Sequence, residues 1–205
     1  MNVFIAIKHA IGLLCHYYIK PQIADYGKLG INAVVGIPAD LKNPKNVFLG
    51  DYSRIGRRST IITVKKGRFI VGNNTGISEG LLVIASNHKQ RIGKYRCAND
   101  DDNEYKNVTV GDDVWIGANV TLLAGTVINR GSIVGASSVC SKEYPPYAVI
   151  AGNPAKVIKF KMSIDGIIKH EQMLYPEDER YSKDELIKIF ENNADASRRP
   201  PYLDK

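Results

Sequence analysis

Cysteine is scarce in this chain of 205 residues: Cys15, Cys97 and Cys140 are all it has. Their spacing suits neither a metal site nor a redox pair, and an odd count excludes a complete disulfide framework. A reducing compartment, the cytoplasm, is the expectation. There is one tryptophan, Trp115, and there are four histidines, His9, His16, His88 and His170. No lysine- and arginine-rich run with interleaved aromatics occurs, so nucleic acid is not an expected partner. The formal net charge of +7 reads as a diffuse field favouring anionic ligands. No long apolar run occurs either. Asn2 to Ile19 is apolar but interrupted by Lys8, His9 and His16, no small-residue cleavage site follows it, and it is short for a span of about 20 apolar residues. A packed or oligomer-facing helix is expected there, ending at Pro21, rather than a membrane contact.

What the chain does have is a period of six. Val110, Ile116, Leu122, Ile128, Val134 and Cys140 recur at every sixth position, with Gly111, Gly117, Asn129 and Gly135 following four of them. Six fits neither a helix nor a strand, whose periods are about 3.6 and 2. It fits a chain that winds, one short strand and one turn per step. The aliphatic residue points inward and stacks on its equivalents in neighbouring coils. Small or β-branched residues four positions on (Thr75, Val114, Val120, Thr126, Ser132, Ser138) fill the corners, and stacked strands would pair in parallel.

The first clear steps are Leu49-Gly50 and Ile55-Gly56, preceded by turn-rich sequence from Gly27 to Pro44. The phase breaks at Lys65-Lys66-Gly67 and resumes at Val71. It breaks again over an excursion at 89–107, and the clear steps, three to a coil, amount to roughly four coils. This divides the chain into an N-terminal helical segment (1–26), a β-helix domain (27–160) and a C-terminal helical segment with a tail (161–205). Ser182 and Glu185 have capping-box spacing ahead of Leu186, Ile187, Ile189 and Phe190, which predicts a helix over 182–192 folded on the end of the coil.

The stretches Val110-Gly111-Asp112-Asp113-Val114-Trp115-Ile116-Gly117-Ala118-Asn119-Val120, Ile133-Val134-Gly135-Ala136-Ser137-Ser138-Val139 and Pro145 to Ile158 resemble the C-terminal half of the hexapeptide-repeat acyltransferases. The likeness is to the maltose and galactoside O-acetyltransferases and the capsule and lipopolysaccharide O-acetyltransferases, and it covers about residues 45 to 160. It implies an all-β fold, a left-handed parallel β-helix. The right-handed crossover rule would favour the other hand, so handedness rests on the resemblance. It also implies acetyl-CoA as donor, a sugar or glycan acceptor, and a homotrimer with active sites between subunits.

His88, in Ile84-Ala85-Ser86-Asn87-His88, stands where the regular coil stops, which is where the resembled family keeps its histidine base. Transfer of an acetyl group to a hydroxyl needs a base near neutrality, and histidine suits it. Glu79 is a candidate to orient it, and Asn87 a candidate to hold the acceptor or shape the turn. The resemblance further implies donor contacts. Trp115 would wall the pantetheine channel. Ala118 and Ala136 would stack in adjacent coils and let backbone groups reach its amides. Ser141-Lys142 matches a family Thr-Lys pair that contacts the cofactor, and Lys156 and Lys159 match family arginines near its phosphates. Lysine in place of arginine supplies charge without the bidentate fork.

Three departures bear on the acceptor. The family's acceptor-binding asparagine falls near Arg58, the usual histidine-proline pair is His88-Lys89, and the excursion is acidic (Asp100, Asp101, Asp102, Glu104). N-acetylation of an amino sugar or nucleotide-sugar remains open, because the same base serves both, as does a non-catalytic scaffold. A zinc hydratase on this fold needs three histidine ligands, which the isolated His88 does not supply; no metal site is expected.

Overall fold

A computed structural model describes residues 3–89, 92, 93, 95 and 103–201. The chain winds into a parallel β-helix of the left-handed hexapeptide type, about six turns long. Coil 1 comprises Lys28–Leu29, Val34–Val35 and Ala39–Leu41. Coil 2 comprises Val47–Leu49, Arg54–Ile55 and Ser59–Ile62, and coil 3 Phe69–Val71, Gly76–Ile77 and Leu82–Ile84. Coil 4 comprises Val108–Val110, Trp115–Ile116 and Thr121–Leu122, and coil 5 Val127–Ile128, Ile133–Val134 and Val139–Cys140. Coil 6 has Glu143–Tyr144 and Ala148–Gly152 and is closed by Ala155–Phe160, which turns back antiparallel on Ala148–Gly152. First, second and third strands of successive coils stack into three parallel sheets, the first, second and third faces of a prism.

There are more coils than the roughly four read from the sequence, because the turn-rich lead-in is itself a coil. The step from it to the next coil is not yet regular. Leu29 pairs with Leu49 and Leu49 with Val71, both steps longer than three hexads and the second longer than the first. Val71 pairs with Val110 across the excursion, and only from Val110 to Ile128 does the step become a clean three hexads.

The expected inward positions are buried: Val110, Ile116, Leu122, Ile128, Val134 and Cys140 are each at most 1% exposed. A fully buried aliphatic side chain contributes about 1.5–3 kcal/mol, and stacking makes one continuous core from Leu41 to Ala155. Burial pushes the Cys140 thiol up to about 11, so it acts as a small hydrophobe. The corner residues are buried as expected, and their hydroxyls have partners. Thr75 donates to the Gly111 carbonyl (2.7 Å), Ser53 to Gly72 (2.6 Å) and Thr126 to Cys140 (2.8 Å). Small polar residues therefore pack there without leaving a polar atom unpaired. Corner residues in the left-handed region recur from coil to coil: Tyr52, Asn74, Asp113 and Tyr147 at the first corner, Arg58, Asn119 and Ser137 at the second.

The N-terminal segment forms α1 (Val3–Leu14), a π turn (Cys15–Ile19) and α2 (Lys20–Ile23). It does not end at Pro21. The π turn pairs Lys20 N–H with the Cys15 carbonyl, and proline, lacking an N–H, is tolerated in the turn that follows. The expected packing is absent from α1, which buries none of its residues within the chain. Only the segment's end is fixed: Pro21 is buried, Tyr26 O–H donates to the Pro21 carbonyl (2.6 Å), and His16 Nε2 lies 2.9 Å from Asp40 Oδ1. Burial alone would raise the Asp40 carboxyl, but hydrogen bonds from His16 and Lys42 hold it below its usual value.

At the other end, α3 (Ile164–Leu174), α4 (Lys183–Glu191) and α5 (Ala194–Ser197) close the last coil. The predicted helix is α4, with the Ser182–Glu185 capping box formed and Phe190 stacked on Phe160 at 3.8 Å. α3, capped by Ser163, was not anticipated, although Ile164, Ile167, Ile168 and Leu174 carry its periodicity.

Candidate active site

The excursion begins earlier than residue 89. Ser86–His88 pairs antiparallel with Asn103–Tyr105, so a β-ribbon leaves the edge between the third and first faces. Asn107 closes its base, with its side chain accepting from Arg68 N–H (3.1 Å) and its carbonyl from Gly125 N–H (3.1 Å). His88 is thus the last paired residue of an outgoing strand, exposed, with its backbone N–H bound by Asn87 Oδ1 (2.9 Å). Among the described residues its ring has no hydrogen-bond partner. Of the acidic cluster, Asp100, Asp101 and Asp102 lie outside the described residues, and Glu104 is paired with Lys106 at 2.9 Å.

Glu79 stands at the opposite end of the strand that leads to the ribbon, and its carboxylate is bound by Arg58 one coil below. Glu79, the orienting candidate, and Arg58, at the place of the family's acceptor asparagine, therefore hold each other at the corner between the second and third faces. Ala118 and Ala136 stack above them on the same corner, with Ser137 N–H donating to the Ala118 carbonyl (2.8 Å). A Cβ on the neighbouring Gly117 would lie 2.6 Å from Ala136 N, so the coils approach closely there.

Trp115 lies on the second face, 59% exposed, between Gly76 below and Ile133 above. A Cβ at Gly76 would meet nothing within 4 Å, so one side of the indole opens on a notch. Lys159 continues this column beyond Val149. Ser141 and Lys142 stand instead on the ribbon's own edge, two coils above it, where Val127 N–H donates to the Lys142 carbonyl (3.2 Å). Lys142 meets Lys156 in a cleft of about 450 Å³ at the top of the coil, which Glu191 and Asp195 also line.

One chain thus divides the predicted residues between two edges. Asn87, His88, Ser141 and Lys142 occupy the edge of the ribbon. Arg58, Glu79, Ala118, Ala136 and Trp115 occupy the second face and its far corner. Among the described residues no group of three or more His, Cys, Asp or Glu side chains is placed to hold a metal ion.

A polar cluster that the sequence reading missed lies where α3 packs on the first corner. Glu171, 1% exposed, accepts from Tyr147 O–H (2.7 Å) and Tyr181 N–H (2.9 Å). Arg130 Nη1 lies 3.5 Å from it, with the guanidinium over the Tyr175 ring at 4.2 Å. Burial, then the bond to Glu171, pushes the Tyr147 hydroxyl far above its ordinary value. Asp113 of the repeat pairs with Lys161 (3.1 Å) and approaches His170 (3.5 Å). Its arrangement is that of a cap, with Glu171 held by two hydrogen bonds, while Arg130 Nη1 and His170 Nε2 are buried without a hydrogen-bond partner among the described residues.

Comparison with known proteins bears on this geometry. The family described as bacterial transferase hexapeptide (six repeats) matches residues 107–142. The chain is 30% identical over 135 residues, 61% of its length, to "Putative lipopolysaccharide biosynthesis O-acetyl transferase WbbJ" of Escherichia coli K12. It spans 66% of that relative, just under two thirds. A maltose O-acetyltransferase structure from Clostridium difficile superposes with a TM-score of 0.60 at 26% identity, over 71% of this chain and 74% of that one. A hexapeptide-repeat acetyltransferase from Vibrio cholerae, solved with acetyl coenzyme A, shares the fold, with a TM-score of 0.62 at 22% identity over 72% of this chain and 76% of that one.

Proposed function

Because residues 107–142 match the hexapeptide-repeat transferases and the chain winds as a parallel β-helix, we propose that it moves an acetyl group from acetyl-CoA to a hydroxyl of a sugar or cell-envelope glycan, with His88 as general base. The observation that carries this reading is His88 itself. It stands on a ribbon rooted in a rigid coil, exposed to an incoming acceptor and steadied through its backbone by Asn87. Sites of chemistry favour segments projected from such scaffolds.

In the reaction the acceptor oxygen attacks the thioester carbonyl while the imidazole takes the hydroxyl proton. Collapse of the tetrahedral adduct breaks the carbon–sulfur bond, and the proton passes to the departing thiolate. Glu79 is engaged by Arg58, so orientation of the ring falls to another group, either the acceptor or a residue of a second copy.

The division of residues between two edges supports a homotrimeric site in which the ribbon edge of one copy faces the Trp115 side of the next. Trp115, with the notch above Gly76, then walls the pantetheine arm, and Ala118 and Ala136 expose backbone to it. The cations of Lys142, Lys156 and Lys159 face the phosphates. The lipopolysaccharide O-acetyl transferase and maltose O-acetyltransferase names of the relatives favour a saccharide hydroxyl over an amine.

Transfer from labelled acetyl-CoA to a panel of saccharides tests the reading. His88→Ala is expected to lower turnover by about 10²–10⁴-fold. The variant should keep the thermal stabilisation that CoA gives the parent chain, since linkage requires only binding. Full activity in the variant would remove His88 from the mechanism. A parent chain that CoA does not stabilise would be a scaffold, not an enzyme.

A further inference from the structure

The N-terminal helix is the largest feature that the reaction does not use. Phe4 is 81% exposed, and Val3, Ile5, Ile7, Ile11, Leu13 and Leu14 are all exposed. Phe4, Ile7, Ile11 and Leu14, spaced three and four apart, form one side of α1; Lys8, His9 and Gly12 fall off it. Every ionisable group between Val3 and Ile23 is basic: Lys8, His9, His16 and Lys20, apart from the Cys15 and tyrosine side chains. The first carboxylate is Asp25.

Charge on the rest of this end has the same sign. Residues 1–70 hold eleven lysines and arginines against three aspartates and no glutamate, more than the whole chain's excess of +7. Lys28, Lys42, Lys45, Arg54, Arg57 and Arg58 of coils 1 and 2 are exposed. The helix is fixed to this basic end through Pro21, Tyr26 and the His16–Asp40 pair.

We infer that α1 docks the protein on an anionic lipid surface, lying along the headgroups with its apolar side in the acyl region and the basic coils against the phosphates. The described helices include none long and apolar enough to cross a membrane, so the helix lies in the interface. Charge and composition disfavour pairing of α1 with the same helix of a second copy. Each helical segment would add only basic groups and no carboxylate, and Ile5 and Leu13 fall off the side that such a seam would bury. An anionic surface supplies counter-charge to the basic groups of the helical segment and takes up apolar side chains around the helix. The sequence reading favoured a packed or oligomer-facing helix for this segment over a membrane contact.

Co-sedimentation of the full chain with vesicles tests it, comparing mixed phosphatidylglycerol and phosphatidylcholine with phosphatidylcholine alone. Binding to the mixed vesicles is expected, weakening with salt, and markedly less to the neutral ones. The quadruple variant Phe4→Ser, Ile7→Ser, Ile11→Ser and Leu14→Ser should lose binding about tenfold or more, with an unchanged thermal melt because α1 buries nothing. Lys8→Glu with Lys20→Glu leaves the apolar side intact and should erase the preference for phosphatidylglycerol. A parent chain that stays in solution with the mixed vesicles overturns the proposal. So does a quadruple variant that still sediments with them but has a lower oligomer mass, which would give the helix face to a second copy.

Discussion

The two ends of the solenoid solve one problem in opposite ways. Any coil stack exposes a core layer at each end. At the top, Ala155–Phe160 and three helices fold over coil 6, and Tyr147, Met162, Ile167 and Leu186 form a second small core. The buried carboxylate there is held within the chain, Glu171 accepting from Tyr147 and Tyr181. At the base, only the end of the N-terminal segment touches coil 1, and α1 projects with its apolar residues uncovered. The difference separates an end closed by its own chain from an end prepared for something outside it.

Substitutions at the two ends sharpen this contrast. The largest effect is expected at the top. Glu171→Ala strands the Tyr147 hydroxyl and the Tyr181 N–H in a buried site and should cost about 2–4 kcal/mol, read from denaturant unfolding. A loss below a few tenths would mean that the cap is not closed as described.

A smaller effect belongs to the anchor at the base. Asp40→Ala removes a partly exposed ion pair and should cost about 1 kcal/mol or less. Its pH dependence has a definite sign. The folded carboxyl is held below its unfolded value, so the contribution is complete above about pH 4 and disappears as acid carries the pH through the lower folded value. The variant should therefore converge with the parent in acid; a gap that widens there would contradict the pairing.

The smallest effect is expected for deletion of residues 1–13. Because α1 buries nothing, the melting transition of the solenoid should barely move. A large drop would show that copies of the chain cover the helix and that the base is closed after all.

Much of the fold could be read from the sequence wherever the step between coils is three uninterrupted hexads. Val110 to Cys140 announced itself because nothing breaks the period there. Coil 1 did not, since its step to coil 2, from Leu29 to Leu49, overshoots three hexads and throws Val35 and Leu41 out of phase. α3 was hidden by its polar half: nothing in the sequence marks His170 and Glu171 as facing Asp113 and Tyr147, which only the fold brings against them. At the site, His88 was legible as the one histidine at a break in the period. The sharing of candidates between two edges was not, because a linear period gives the step along the axis and says nothing about which corner each residue occupies.

The ribbon that carries His88 enters and leaves on one edge, and the coils close behind it. Phe69, Ile70 and Val71 pair with Val108, Thr109 and Val110 as though nothing stood between them. The stretch between Ser86 and Tyr105 can therefore lengthen, shorten or change chemistry in related proteins without disturbing a single inward residue. Change in the ribbon is thereby uncoupled from folding of the coils, and one scaffold can carry many different ribbons.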